Sequence, residues 1–448
     1  MTRWLYLCND LGISLDGVKG ASEHVRAITR GLCQAGQEVS VLAAQGTLPV
    51  GHPARQINTP IGADVRATAD ALRAWLAGAE ANPAMGGEIA QMLYDVQLRE
   101  MLCSNENRLL RDSDRPGESV NNRFDVVLER LSLFSTAGRA FAQKLGVPYL
   151  VEMNAPLAQE AARYRDAGLE TLARSIERQT LAAADVVMTV SGALREHAIR
   201  DIGLDPQRVV TVPNGVDLRL FAGPRDRGEA RRLAGVPDDA VVFGFVGSLK
   251  PWHGIDTLLE AFARIQDLPQ RIHLLVIGDG RNAPKYRERA KQLGVDRRTT
   301  FFGEAEHALV ARLMQAMDVG VAPYLPQDNF YFSPLKLYED MAAGLCTIAS
   351  GAGQIADVIR HDSNGLLFSP GSCTELARLL ASTAEDAALR QRLGAEARRD
   401  ASACDWSQVA ARIISLAEEV FPRSRPPAAA QRAHGRREHE AEFAARTS

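Results

Sequence analysis

Short apolar runs alternate with longer stretches of helical periodicity along almost the whole chain. "WLYLCN" (4–9) reads as a strand, "SEHVRAITRGLCQAG" (22–36) as a helix stopped by Gly36, and "EVSVLAA" (38–44) as the next strand. Strand, crossover helix and strand form the unit of a parallel sheet, since a parallel partner is reached only by a long return connection. The rhythm continues through "FDVVLE" (124–129), "VPYLVEMN" (147–154) and "ADVVMTVS" (184–191). "VPNGVDLRLF" (212–221) interrupts it with Pro, Asn-Gly and Asp, a turn-rich joint. It restarts with "AVVFGFVG" (240–247), "HLLVIGDG" (273–280), "TTFFGE" (299–304), "DVGVAPY" (318–324) and "CTIAS" (346–350). The pattern predicts two Rossmann-like, doubly wound α/β domains facing across a cleft, with ligands beyond the carboxyl ends of the strands.

A chain of 448 residues is too long for one core and divides naturally into two. The hydrophobic share of 46% and charged share of 24% are those of a soluble globular protein. A net charge of −3 disfavours nucleic-acid binding by phosphate neutralisation. Cysteines 8, 33, 103, 346, 373 and 404 are scattered, without a Cys-x-x-Cys, and read as reduced, mostly buried thiols of a cytoplasmic protein. No run suits a signal peptide or a membrane span, so any membrane contact is expected to be peripheral. Residues 62–120, helical and then loop-like, read as an inserted or mobile segment. The Pro- and Arg-rich end, 422–448, reads as a disordered basic tail.

A dinucleotide dehydrogenase is the first function to test against two such domains. "NDLGISLDGVKGASEHV" lacks Gly-x-Gly-x-x-Gly, "VLAAQG" offers no acid for a ribose, and "FVGSLKPWHG" fails likewise. The glycines suit anion binding better. Gly17 and Gly20 precede a helix, Gly247 ends a strand with Lys250 and His253 in the loop behind it, and Gly278 ends another. A plain loop entering a helix explains each of these equally well taken alone. "FYFSPLKLYEDMAAG" (330–344) sets Lys336 and Glu339 on the first turns of a helix behind Pro334. That is either an ordinary i,i+3 ion pair or a meeting of helix end, lysine and carboxylate around a phosphate and a diol. Glu129 in "VLERLSLF" and Glu152 in "YLVEMNAPLAQE" end neighbouring strands, where they bind hydroxyls, act as a base, or simply pair with Arg130 or backbone amides. His24 reads as an ordinary helix-face residue, His273 as a strand residue, and Trp252 as packing its loop.

"KGASEHV", "VSGALREH", "VVTVPNGVDLRLF", "FGFVGSLKPWHGIDTLLEAF", "LLVIGDG", "FFGEAEHALVARLMQAMDVGVAPY" and "SPLKLYEDMAAGLCTIASGAGQIADVIRHDSNGLLF" follow one another in an order that resembles the retaining glycosyltransferases of family 4, of GT-B architecture. With the "DW" near the end, the resemblance covers nearly all of 1–420. It implies an acceptor-binding domain at 1–213 completed by a C-terminal helix at 405–421, and a nucleotide-sugar domain at 214–404. It implies a ribose-binding role for Glu339, since a carboxylate accepts from both hydroxyls of a cis-diol. It sets Ser333, Pro334, Leu335 and Lys336 against diphosphate and sugar, Gly17 and Gly20 near diphosphate and acceptor, and the nucleobase against Phe302 and Gly303.

The departures are as informative. The family's earlier glutamate falls on Tyr331, so its contact with the donor hexose passes to Asp328 or to backbone. The family's phosphate-loop Arg and Lys fall on Ser248 and His253, leaving Lys250 and Lys336 as replacements, and a familiar histidine position holds Asn154. The expected reaction is metal- and cofactor-independent transfer of a hexose from a UDP-sugar, with GDP as alternative, to a hydroxyl of a polysaccharide, glycolipid or small-molecule acceptor held near Glu129, Glu152 and Asn154. A phosphorylase or epimerase of the same fold, and a non-catalytic sugar-nucleotide-binding or scaffold protein, remain open alternatives.

Overall fold

The computed structural model describes the chain except residues 59–61, 79–81, 83, 105–122, 165–167, 224, 328–329, 332, 334 and 425–448. Among the described residues the first domain holds a seven-stranded parallel sheet: β1 (Arg3–Cys8), β2 (Glu38–Ala43), β3 (Arg55–Ile57), β4 (Val126–Arg130), β5 (Tyr149–Met153), β6 (Val186–Thr189) and β7 (Val209–Thr211), in the order β3-β2-β1-β4-β5-β6-β7. The second holds β8 (Val241–Val246), β9 (Ile272–Ile277), β10 (Thr299–Gly303), β11 (Val319–Ala322), β12 (Cys346–Ser350) and β13 (Leu366–Phe368), in the order β10-β9-β8-β11-β12-β13. Each order reverses beside the first strand of its domain, so each cleft edge has the switch point at which such sheets bind ligands.

The strands are apolar on both faces because helices cover both. Trp4, Tyr6 and Cys8 of β1 face the helix Gly20–Gln34 and the C-terminal helix Trp406–Ser424, while Leu5 and Leu7 face a separate core with Phe141 and Tyr94. The 406–424 helix thus returns to the first domain. Gly31 permits the close approach, since a Cβ there would lie 2.9 Å from the Trp406 carbonyl oxygen. The crossings between the domains are joined to each other: Val216 N–H donates to Cys404 O at 2.8 Å, beside a Val216–Asp405 bridge.

The segment from residue 62 begins helical, as read, and its second helix is part of the core instead of a mobile stretch. It forms helices Gly62–Gly78 and Ala84–Cys103, and Tyr94, Leu98 and Leu102 of the latter are fully buried in the core. Asp95 caps the helix Ala137–Leu145, accepting from Thr136 N–H at 2.9 Å and Ala137 N–H at 3.1 Å. Its further part, 105–122, and the basic tail from 425 lie outside the described residues. Cys8 and Cys346 are buried and the other four cysteines half-buried, all of them free thiols. No described helix is long and apolar enough to cross a membrane.

Candidate functional site

The second domain's cleft edge is built where β8, β9 and β10 end. Gly278 N–H donates to Gly303 O at 2.7 Å and Gly247 N–H to Ile277 O at 2.9 Å, knitting the three ends together. Gly278 sits at φ +135, and a Cβ on it would stand 2.0 Å from Gly247 O, so no side chain fits there. The Gly303 carbonyl accepts this bond with one of its two lone pairs, and Phe302 is half-buried against the core.

Into this edge runs the helix Leu335–Ala342. Lys336 Nζ is buried without a hydrogen-bond partner among the described residues, 4.5 Å from the centre of the Phe245 ring and 4.6 Å from that of Tyr324. It lies 3.0 Å from the point a Cβ on Gly247 would occupy, so it closes the glycine turn from below. Burial lowers its pKa to about 7, with Asp340 and Glu339 opposing the shift. Asp340, buried behind it, is pushed well above the carboxylate range, chiefly by burial. His253, where the family places a cation, is a neutral ring: burial and then the Lys336 charge lower it to about 2. It bonds Ser248 O and packs edge-on against Tyr324 at 5.2 Å. Lys250 reaches over Trp252, 4.9 Å from its ring centre, with Ser248 exposed beside it. Asp328, Phe332 and Pro334 lie outside the described residues.

Glu339 is not paired with Lys336. His307 Nε2 bonds Glu339 Oε1 at 2.6 Å, and His307 Nδ1 lies 3.5 Å from Glu23 Oε1 of the first domain. Burial lowers the ring's pKa, but the two glutamates outweigh it and raise it to about 10, so the ring is an imidazolium. Burial likewise pushes Glu23 up, and His307 and Arg26 outweigh that to hold it at about 2.

Tyr331, which stands where the resemblance places a donor-binding glutamate, is turned away into the protein. It is 8% exposed, packed into the first domain's core, with its hydroxyl on Glu160 and its carbonyl accepting from Ser191 Oγ at 2.7 Å. Its neighbour Phe330 packs into the second domain's core, so two consecutive side chains are anchored in opposite domains. Ser333 adds a tie: its Oγ accepts from Asn214 N–H and its carbonyl from Asn214 Nδ2, each at 3.1 Å. Leu335 approaches Gly20, whose Cβ would meet it at 3.4 Å. Gly17 turns against Ser22, where a Cβ would stand 2.8 Å from the hydroxyl.

In the first domain the paired carboxylates are inside the protein, which corrects their assignment to acceptor hydroxyls. Glu129 is 0% exposed, bonded by Tyr149 Oη at 2.6 Å, Asn9 Nδ2 at 3.3 Å and Ser135 Oγ, and burial raises it to about 8. Glu152 touches His24 and accepts from Tyr6 Oη at 3.1 Å. Burial pushes Glu152 up, but His24, Arg130 and Tyr6 outweigh it, holding the carboxylate ionised at about 2. His24 is a helix-face residue as read, on the buried face of Gly20–Gln34, stacked edge-on 5.1 Å from Trp406. His273 on β9 bonds Thr300 Oγ1 at 2.9 Å, a strand residue as read. At the strand ends, Asn154 Nδ2 is a buried donor without a hydrogen-bond partner among the described residues, while Arg130 Nη1, also without a hydrogen bond among them, forms an ion pair with Glu152 Oε2 at 3.8 Å. Among the described residues no group of three His, Cys, Asp or Glu side chains is placed to hold a metal ion.

His307, Glu23 and the two-domain anchoring of Tyr331 escape a reading of the sequence. A lone histidine in "GEAEH" has no period or spacing to mark it, and its partners are remote in the chain.

Residues 19–215 match the family profile "Glycosyl transferase 4-like domain", and 226–400 match "Glycosyl transferases group 1". The D-inositol 3-phosphate glycosyltransferase of Geodermatophilus obscurus is 31% identical over 335 residues, covering 71% of this chain and 71% of the relative. That of Stackebrandtia nassauensis is 29% identical over 345 residues, covering 73% and 74%. Among solved structures, Anabaena Alr3699/HepE in complex with UDP-glucose shares the fold at a TM-score of 0.65 and 18% identity, over 94% of this chain and 100% of that one. The profiles meet at the joint between the two sheets, one to each domain, and with the relatives they settle the family. The chain belongs to the group 1, family 4-like glycosyltransferases and is an enzyme of GT-B fold.

Proposed function

We propose that this glycosyltransferase moves a hexose from a nucleotide-diphosphate sugar, UDP-linked by preference and GDP-linked as the alternative, to a hydroxyl of a small or lipid-linked acceptor, with retention and without a metal. The observation that carries the reading is Lys336. An ammonium group buried without a hydrogen-bond acceptor is costly, and here it faces a glycine turn and the start of a helix. A diphosphate placed there gives it a counter-charge and also meets the positive end of the helix dipole. As the glycosidic bond to the donor breaks, charge grows on that diphosphate, and Lys336, with Lys250 at the rim, stabilises it. Glu339 takes the ribose hydroxyls through Oε2, which is free of hydrogen bonds among the described residues. The acceptor hydroxyl attacks from the face the diphosphate leaves, giving its proton to the departing phosphate.

The acceptor lies against the ends of β4 and β5. Among the described residues Asn154 Nδ2 supplies an unspent donor at that edge, suited to an oxygen-rich group, with the Arg130 guanidinium beside it already facing Glu152. The relatives' name, D-inositol 3-phosphate glycosyltransferase, makes a phosphorylated cyclic polyol the first acceptor to try. Calorimetric titration of the full chain with UDP, GDP and ADP, with and without EDTA, tests the donor half. Binding of one of them unaffected by EDTA supports the reading. Absence of binding to all three sinks it and favours a degenerate, non-catalytic site.

A further inference from the structure

The carboxylate assigned to the ribose is held from behind. His307 Nε2 fixes Oε1 of Glu339, and the other ring nitrogen of His307 faces Glu23 across the cleft. Glu23 Oε2 is gripped by Arg26 Nη2 at 2.7 Å, and Arg26 Nη1 donates to Gly17 O at 2.8 Å and to Leu15 O. A continuous series of charge-assisted contacts therefore runs from the glycine loop of the first domain to Glu339 in the second. His307 is the first residue of the helix His307–Met314, at the positive end of the helix dipole, where a cation is disfavoured. Its place is explained by the two carboxylates that face it and not by helix formation.

We propose that His307 is a positioning residue for donor recognition: it locks Glu339 so that the second carboxylate oxygen meets the ribose diol, and through Glu23 and Arg26 it ties that geometry to the first domain's glycine loop. This rests on the reading of Glu339 as the ribose ligand. A glutamate free to change rotamer meets both hydroxyls in only a fraction of its states, and restraining it beforehand raises affinity without adding a contact to the ligand. Because Glu23 belongs to the other domain, ribose recognition is strongest when the cleft is closed.

The test compares UDP with 2′-deoxy-UDP (or the GDP pair, where GDP binds more tightly) by calorimetry on the full chain and on Glu339→Gln, His307→Gln, His307→Ala and Glu23→Gln. The wild-type protein is expected to prefer the ribonucleotide by roughly tenfold or more, the range of a hydrogen bond to a charged group. Both His307 variants should lose most of that preference, the glutamine less than the alanine because its amide still donates. Glu23→Gln should lose part of it. A fold defect common to the variants would weaken both nucleotides alike, so the ratio separates positioning from structure. A wild-type ratio near one removes the ribose reading and the inference with it. A ratio that Glu339→Gln abolishes but both His307 variants keep overturns the inference alone. A full ratio in Glu23→Gln overturns the coupling across the cleft.

Discussion

Lys336 is an ammonium group in an aromatic enclosure, and its protonation is tied to its ligand. Its pKa of about 7 in the free protein is set chiefly by burial, so at pH 8 most of the population is neutral. A diphosphate bound there, as proposed, would restore the ion. Binding of UDP at pH 8 is therefore expected to take up a fraction of a proton, and at pH 6 almost none, read as the dependence of calorimetric enthalpy on the ionisation enthalpy of the buffer. Lys336→Met should abolish the uptake and weaken UDP far more than uridine; equal weakening of both would remove the phosphate assignment. The sequence shows that a lysine stands here but not that it lacks a partner. Its apparent partner three residues on turns instead to His307, a choice made by a residue 32 positions away in the chain. Glu129 and Glu152 are similar: their positions at strand ends are legible, whereas their burial beneath Tyr149, Tyr6 and His24 depends on side chains from other strands and a helix.

At the scale of elements, the long buried strands could be read because period and length agree, while three-residue β3, β7 and β13 carry too few residues to show any period. The core helix Ala84–Cys103 was legible as a helix but not as core, since its sequence lacks a strongly one-sided apolar face. The joined ends of β8, β9 and β10 are the element on which the proposed donor site depends. Gly278→Ala would drive a methyl group into the Gly247 carbonyl at a backbone angle that favours glycine. The expected outcome is a loss of about 1–3 kcal/mol in stability, seen by denaturant titration, together with weaker UDP binding. Retention of both would show that the turn relaxes easily and that its glycine is not required for the site.

For the whole molecule, the His307 link makes the relation between the domains sensitive to pH. His307 is raised in the folded state, so its contribution is complete below its unfolded pKa near 6.5, declines above it and is gone once pH passes about 10. Glu23 is depressed, so its contribution is present above about 4.5 and is lost as pH falls towards 2. Lys336 acts in the opposite sense to His307, its destabilisation fading between about 7 and 10.5. Comparing wild type with His307→Gln from pH 6 to 10 isolates the first slope, and the wild type should expand in solution scattering above pH 10 while the variant shows no such step. A variant that expands in parallel with the wild type would place the pH response elsewhere. None of this is written locally in the sequence, because it arises where two separately legible sheets are brought edge to edge. The crossings at Val216 and Cys404 have a consequence for how those edges can part. Two tethers bonded to one another resist separation on their side of the molecule, while Tyr331 and Gln354 of the second domain bond Ser191 and Val190 of the first. A permuted chain cut at either crossing is therefore expected to loosen the pairing of the two sheet edges before it loses its fold.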